Sequence, residues 1–159
     1  MQKIIANAIK LCLVLIVVFS GVVSCTKSTT NPVTKSKTQY LTQAGWKLIK
    51  AELKTGAGPW VDQTSTISPC DLDDIALFNA NGSYEQNEGA TKCSPTDPQI
   101  IETGTWVFLS GETQIKTTAT GSSSSDTGVI EQLDDTTFVF TDTNVVGGVT
   151  YYYRSTLKH

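Results

Sequence analysis

The sequence predicts an all-β protein, a small eight-stranded up-and-down antiparallel barrel with a short helical turn near its start. Beyond Tyr40, threonine, valine, isoleucine and aromatic residues dominate, and turn-forming residues recur about every eight to twelve positions. The predicted hairpins follow one another without segments long enough for crossover helices, which favours a meander that closes on itself and leaves no edge strand. Only residues 38–44, ahead of the first strand, are suited to a helical turn.

The candidate strands are runs rich in β-branched and aromatic residues, bounded by Gly, Asn, Asp, Ser or Pro. They are Trp46–Leu53, Trp60–Thr66, Ile75–Phe78, Ser83–Asn87, Ile100–Leu109, Thr113–Ala119, Gly128–Leu133, Thr136–Thr143 and Val149–Leu157. Alternation at a period of two residues gives each strand a buried face and a solvent-exposed face. Lysines and one arginine at outward positions argue against a lipid-facing barrel; they are Lys47, Lys50, Lys116 and Arg154.

Two turns set the predicted strand registers. At the first turn, a three-residue loop with Gly82 in the left-handed conformation places Phe78 opposite Tyr84, and we favour it over a two-residue Asn-Gly loop. At the second, an even loop around Asp134-Asp135 places Val129 opposite Phe140. Two further inward sets follow from the alternation: Phe138 with Phe140, and Tyr151 with Tyr153 and Leu157.

Residues 1–24 have the pattern of an export signal that ends at Cys25. Lys3 and Lys10 supply the positive start, and Leu11–Val18 supplies a short apolar core. The small residues before Cys25 resemble the lipobox of bacterial lipoproteins, which implies cleavage before this cysteine, acylation of its thiol and attachment to a membrane through lipid. The alternative is a transmembrane anchor over residues 4–23, although Asn7 and Lys10 interrupt that stretch.

Residues 25–39 form the predicted tether between the lipid and a barrel domain at residues 40–159. Val33 is the only aliphatic residue between Thr26 and Gln39, so this segment cannot bury enough apolar surface to order itself. As a flexible chain it would span about 20 Å. Thr26 after the cysteine is similar to the pattern that permits outer-membrane sorting, and no acidic run follows it. We therefore expect an outer-membrane lipoprotein, for which a periplasm-facing position is favoured over the alternative, exposure at the cell surface.

Charge and cysteine content narrow the class of protein. Without residues 1–24 the chain keeps 10 basic and 15 acidic residues, a net charge of −5, and it has no basic stripe for nucleic acid. Cys70 and Cys93 are then the cysteines that remain besides Cys25, and in an exported domain they predict one disulfide. Two free thiols are the alternative.

An ordered set of short motifs supports a family comparison. It consists of Gly45-Trp46, the segment from Cys70 to Phe78, the segment from Asn81 to Tyr84, Cys93, and Gly104-Thr105-Trp106. This set resembles the lipocalin-like domain of bacterial envelope lipoproteins, over roughly residues 41–158. The resemblance implies a small eight-stranded barrel, in a family whose members mostly have no established activity.

The first motif departs from true lipocalins, in which one residue separates the glycine from the tryptophan. In that family an arginine from late in the chain packs on the indole ring and helps to close one end of the barrel. Arg154 is the only arginine of this chain. The resemblance therefore implies that Arg154 stacks on Trp46, an interaction worth about 0.5 to 2 kcal/mol.

Residues suited to catalysis are few, and the sequence predicts no enzyme, metal or cofactor. The single histidine, His159, is the last residue, where we expect it to be mobile, so a Ser-His or Cys-His site lacks its base. A carboxylate pair through Asp73 or Glu102 is the remaining hydrolytic alternative. Asp71, Asp73 and Asp74 are dense enough for a calcium loop, but they lack the glycine and distal glutamate of an EF-hand and are expected to solvate the disulfide corner.

The inward aromatic residues are the candidate ligand-binding site. They are Trp46, Phe78, Tyr84, Trp106, Phe108, Phe138, Phe140, Tyr151 and Tyr153. If they enclose a cavity, the protein is a carrier or sensor of a small apolar or amphipathic ligand. If they pack into a filled core, it is an interaction module that contacts an envelope protein or glycan through loops such as Gly121–Asp126 and Ala90–Pro98.

Overall fold

The computed structural model of the protein describes residues 34–159, so the predicted signal, Cys25 and most of the tether lie outside the described residues. The elements are α1 (Lys37–Leu41), β1 (Trp46–Thr55), β2 (Val61–Asp62), a 3₁₀ turn (Thr64–Thr66), α2 (Pro69–Leu72), β3 (Ile75–Phe78), β4 (Ser83–Asn87), β5 (Ile100–Leu109), β6 (Gln114–Ala119), β7 (Asp126–Leu133), β8 (Thr137–Val146) and β9 (Val149–Lys158). No helix in this range is long and apolar enough to cross a bilayer.

The strands form one closed antiparallel barrel. From β3 onward each strand pairs with the next along the chain, and β9 returns to β1, which also pairs with β3. The short β2 is an extra strand outside this ring, held on β1 by the pairs Glu52–Asp62 and Leu53–Val61. The predicted all-β, eight-stranded up-and-down barrel is therefore confirmed.

Most strand boundaries agree with the sequence prediction, and β3, β4 and β5 agree residue for residue. The predicted strand Trp60–Thr66 is wrong beyond Asp62. The Asp62 carboxylate accepts a hydrogen bond from the Thr64 amide at 2.8 Å, and the Thr64 hydroxyl in turn accepts one from the Ala51 amide at 3.0 Å. These local side-chain bonds favour a turn over a continued ladder, so the chain enters a 3₁₀ turn.

The turn between β3 and β4 is the predicted three-residue loop. Gly82 has a φ of +85°, in the left-handed region that favours glycine, and Phe78 lies opposite Tyr84. The rings of this pair are 6.2 Å apart. The aromatic cross-strand pair predicted from the sequence is therefore confirmed, and it places both rings inside the barrel.

The register predicted for Val129 is wrong. Val129 pairs with Thr141, and Ile130 takes the position opposite Phe140. The turn is longer than predicted, since Leu133 pairs with Phe138, and an extra residue in β7 between Ile130 and Gln132 then shifts the pairing back by one position. Val129 consequently faces outward and is 47% exposed.

Helix α1 covers one end of the barrel. Ser36 caps the helix through a reciprocal capping box with Gln39, and Leu41 at its end is fully buried. The indole nitrogen of Trp46 donates a hydrogen bond to the Leu41 carbonyl at 2.8 Å, and the buried Trp46 ring packs edge-on against Phe138 at 5.8 Å. This end of the barrel is closed, and we call it the closed end.

Arg154 does not stack on Trp46, contrary to the prediction. It lies on the outer face of β9, where its guanidinium bonds Glu52 at 2.7 and 2.8 Å and lies 4.2 Å from the centre of the Trp60 ring. Trp46 points inward, so the wall of the barrel separates the two side chains. The ring of His159, expected to be mobile, lies 4.7 Å from the Trp46 ring instead.

The predicted disulfide between Cys70 and Cys93 is present, with the Cα atoms 5.2 Å apart. It ties α2 to the loop that precedes β5. Because the cysteines are 23 positions apart, the bond stabilises the fold by about 3 kcal/mol in the chain-entropy model. Asp73 reinforces the same corner, since its carboxylate accepts hydrogen bonds from the Ala90 and Thr91 amides and from the Thr91 hydroxyl.

Candidate ligand cavity

Most of the predicted aromatic site is packed core. Phe78 is at the centre of the packing, because its ring lies edge-on to Trp106 at 6.1 Å and to Phe138 at 6.3 Å. Phe108 packs on Trp106 at 5.2 Å, and the Trp106 indole donates a hydrogen bond to the Asn79 carbonyl. These rings, together with Trp46, fill the half of the barrel next to the closed end.

A cavity of about 80 Å³ lies beyond this packed half. Phe78, Phe138 and Phe140 belong to the predicted aromatic set and form its apolar floor. Five further lining residues were not predicted as site residues; they are Ile115, Thr117, Asp126, Gly128 and Asp142. A cavity of about 150 Å³ holds benzene, so this one has room for roughly three non-hydrogen atoms.

Two inward glycines allow neighbouring side chains to lie against the backbone in this part of the barrel. A Cβ on Gly128 would lie 2.6 Å from a carboxylate oxygen of Asp142 and 2.9 Å from the Phe140 ring. A Cβ on Gly104 would lie 2.4 Å from the Tyr84 ring. A side chain at either position would displace an inward-facing neighbour, so glycine here fixes where the ring and the carboxylate lie.

The end of the barrel opposite α1 is acidic on its inner face, and we call it the open end. Register and alternation place Glu102, Asp126 and Asp142 at inward positions of β5, β7 and β8. Glu102 accepts a hydrogen bond from the Tyr84 hydroxyl. The cations on the strands of the described range all lie at outward positions; they are Lys47, Lys50, Lys54, Lys116, Arg154 and Lys158.

Asp142 is the most perturbed carboxyl group of the cavity. Partial burial, with the negative charge of Asp126 as a second cause, raises the pKa of Asp142 to about 6. Within residues 34–159 its carboxylate has no hydrogen-bond donor and no ion-pair partner. Burial and the bond to Glu102 also raise the pKa of Tyr84, so this phenol stays protonated.

Tyr151 and Tyr153 lie beside the cavity and do not line it. Both occupy inward positions of β9, where Tyr153 pairs with Asp142 and Tyr151 pairs with Asn144. Tyr153 is 45% exposed, which places its side chain at the entrance to the open end. The predicted aromatic site therefore separates into a packed core, a cavity floor and an entrance.

The acidic corner near the disulfide does not have the form of a metal site. Across the described part of the chain, Cys70, Asp71 and Cys93 are the group whose potential ligand atoms come close together, and both sulfurs are already bonded to each other. The Asp73 carboxylate is engaged by the backbone at Ala90 and Thr91. Burial raises the pKa of Asp74, although a long hydrogen bond of 3.5 Å from Gln86 and a backbone hydrogen bond from Gly89 oppose the rise.

Comparisons of the chain with protein-family models, with curated proteins and with solved structures gave no match. The resemblance to lipocalin-like domains therefore stays a prediction. The cavity, its apolar floor and its acidic wall are the observations on which a function can be based.

Proposed function

We propose that this protein is a membrane-tethered binding protein whose barrel takes one small amphipathic molecule through its open end. The cavity carries this proposal, because it combines an apolar floor of three phenylalanine rings with carboxylates on the wall nearer the entrance. An end-on ligand would place its apolar part on the rings and its polar part between the floor and the rim.

The size of the cavity limits both the size of the ligand and its affinity. A long acyl chain would need the volume that Trp46, Trp106 and Phe138 fill, and all three are buried. The best small ligands gain at most about 1.5 kcal/mol per non-hydrogen atom. A ligand of about four such atoms, three inside the cavity and one at its entrance, would therefore bind no tighter than a Kd of about 40 µM. A sensor or scavenger of an abundant small molecule fits this affinity better than a lipid carrier.

Binding, and not catalysis, is the activity we propose. Thr117 is the hydroxyl-bearing residue among those that line the cavity, and its hydroxyl has no hydrogen-bonded base within the described residues. His159 lies against Trp46 at the closed end, on the far side of the packed rings. Nucleophilic catalysis needs a base within hydrogen-bond reach of the nucleophile.

An NMR titration tests the binding proposal. Amide spectra are recorded with n-propylammonium, 1-propanol and propionate as probes, and the Gly128 amide reports on the cavity. We expect saturable shifts with at least one probe in the wild type and in Thr117→Val, which keeps the volume. Thr117→Leu extends into the cavity and should abolish them. Absence of any saturable shift in the folded wild type would overturn the proposal, as would unchanged shifts in Thr117→Leu.

Attachment to the membrane is tested separately. We propose that Cys25 carries the lipid and that the protein resides at the outer membrane on its periplasmic side. Mass spectrometry of the protein purified from its native membranes should find an acylated cysteine at the N-terminus. A chain that retains Met1 would contradict both the cleavage and the lipid anchor.

A second candidate function, contact with an envelope protein, rests on the β8–β9 hairpin. This hairpin continues past the last β7 pairing at Thr141, turns at Gly147-Gly148, and exposes valines near its tip. Val145 is 64% and Val146 58% exposed. A photo-crosslinking residue placed at position 146 in native cells should capture one discrete protein, whereas the same residue at Thr120 should not. Equal capture at both positions would reject the hairpin as a contact surface.

A further inference from the structure

We propose that the polar group of the ligand is an organic cation, a primary or methylated ammonium group that binds between Asp126 and Asp142; this inference rests on the binding function proposed above. The rings on the floor of the cavity would hold the short alkyl part of the same molecule. The ligand class is therefore a small alkylammonium compound.

The acidic inner face of the open end indicates that the ligand carries a positive charge. Asp126 and Asp142 line the cavity itself, and Glu102 occupies the inward position of β5 next to Tyr84. The cations on the strands between residues 34 and 159 point away from the barrel interior, so none of these lysines or the arginine offsets the charge of the carboxylates. An anionic head group would lose water and meet like charge, which makes its entry costly.

The carboxylate of Asp142 has unused hydrogen-bonding capacity. Among residues 34–159 no N–H or O–H group donates to it, although a carboxylate accepts several hydrogen bonds. The Asp142 carboxylate lies close to the backbone of Gly128, where a Cβ would be only 2.6 Å from one of its oxygens. An ammonium group offers N–H donors together with a charge of the right sign, and such charge-assisted bonds are stronger than those of a neutral alcohol.

The apolar floor favours an organic cation over a metal ion. Calcium requires six to eight oxygen ligands. The cavity instead brings two carboxylates next to the rings of Phe78, Phe138 and Phe140, and its acids do not form a cluster with metal-ligand spacing within the described range. Aromatic faces attract ammonium and methylammonium groups as well as alkyl chains.

The test uses three probes of equal chain length, so that only the head group differs. We expect n-propylammonium to bind about 10- to 100-fold more tightly than 1-propanol, with propionate weaker still, because a hydrogen bond to a charged group is worth roughly 1.5 to 3 kcal/mol. If 1-propanol or propionate binds as tightly as n-propylammonium, the cation inference is overturned while the binding function stands. If no probe binds, both fail.

Matched variants assign the selectivity to one carboxylate. Asp142→Asn keeps the shape of the side chain and removes its charge, so n-propylammonium should lose about tenfold in affinity while 1-propanol binding stays unchanged. Glu112→Gln removes a charge from the exposed loop between β5 and β6 near the closed end and should alter neither affinity. An Asp142→Asn protein that keeps the full preference for n-propylammonium would overturn the assignment.

Discussion

Replacing Asp142 with asparagine should stabilise the folded protein near neutral pH, even though it weakens ligand binding. The pKa of Asp142 rises from its ordinary 3.8 to about 6 because of burial and the neighbouring Asp126 charge. A difference of this size corresponds to about 3 kcal/mol at roughly 1.4 kcal/mol per pKa unit. Since the side chain is partly exposed, solvent screening reduces the expected gain to on the order of 1 to 2 kcal/mol.

The dependence on pH identifies the cause of this stabilisation. A carboxyl group with a raised pKa in the folded state binds its proton more tightly there than in the unfolded chain. Stability therefore falls as pH rises from 3.8 to about 6, and above that pH the full penalty is present. The advantage of Asp142→Asn should be complete at about pH 7.5 and mostly gone by about pH 4.

Urea denaturation of the wild type and of Asp142→Asn at these two pH values measures both effects. Glu112→Gln serves as the control, because it removes one negative charge from an exposed position without touching the cavity. It should change the free energy of unfolding by no more than about 0.5 kcal/mol. The explanation by burial and charge would be refuted if Asp142→Asn did not raise the free energy of unfolding near neutral pH. It would also be refuted if the increase were equal at both pH values.

Three further predictions follow from the same structure. The affinity for n-propylammonium should fall as pH drops below about 6, because Asp142, which faces Asp126 and Tyr153, then gains a proton. Calorimetric titration of Asp142→Asn should show no such pH dependence. A wild-type affinity that does not change with pH would contradict the role of this carboxylate. Replacing both Cys70 and Cys93 with serine should lower the free energy of unfolding by about 3 kcal/mol in urea denaturation, and a loss below about 1 kcal/mol would contradict the loop-closure estimate. Leu41→Ala should cost about 2 to 5 kcal/mol by the same assay, so a near-neutral result would mean that α1 does not close the barrel.

The sequence was sufficient to predict the barrel because its signals are local. Alternation at a period of two and the turn residues give the strands, and Gly82 determines the first register through its left-handed conformation. The register at Val129 was missed because the turn after Leu133 is longer than the predicted Asp134-Asp135 loop and because the inserted residue in β7 leaves no clear mark in the alternation. The position of Arg154 was missed because the family comparison assigned it an inward partner, whereas its alternation on β9 places it outside with Glu52.

The site was only partly predictable, for a physical reason. Aromatic residues at inward positions indicate burial, but whether they enclose space or fill it depends on how the rings pack against one another, which no local pattern specifies. The acidic residues of the cavity wall could have been predicted in part from the sequence. Asp142 continues the inward series of Phe138 and Phe140, so strict alternation places an acid inside the barrel. Asp126 gave a weaker signal, because it follows a run of serines that indicates a loop.

The position of bound n-propylammonium decides whether the cavity is the binding site. Intermolecular nuclear Overhauser effects between the ligand methyl group and the side chains of the protein locate the ligand without any change to the chain. We predict contacts from this methyl group to the rings of Phe138 and Phe140, on the floor of the cavity. Contacts only to Trp60 and Tyr152, aromatic residues of the outer surface, would contradict it.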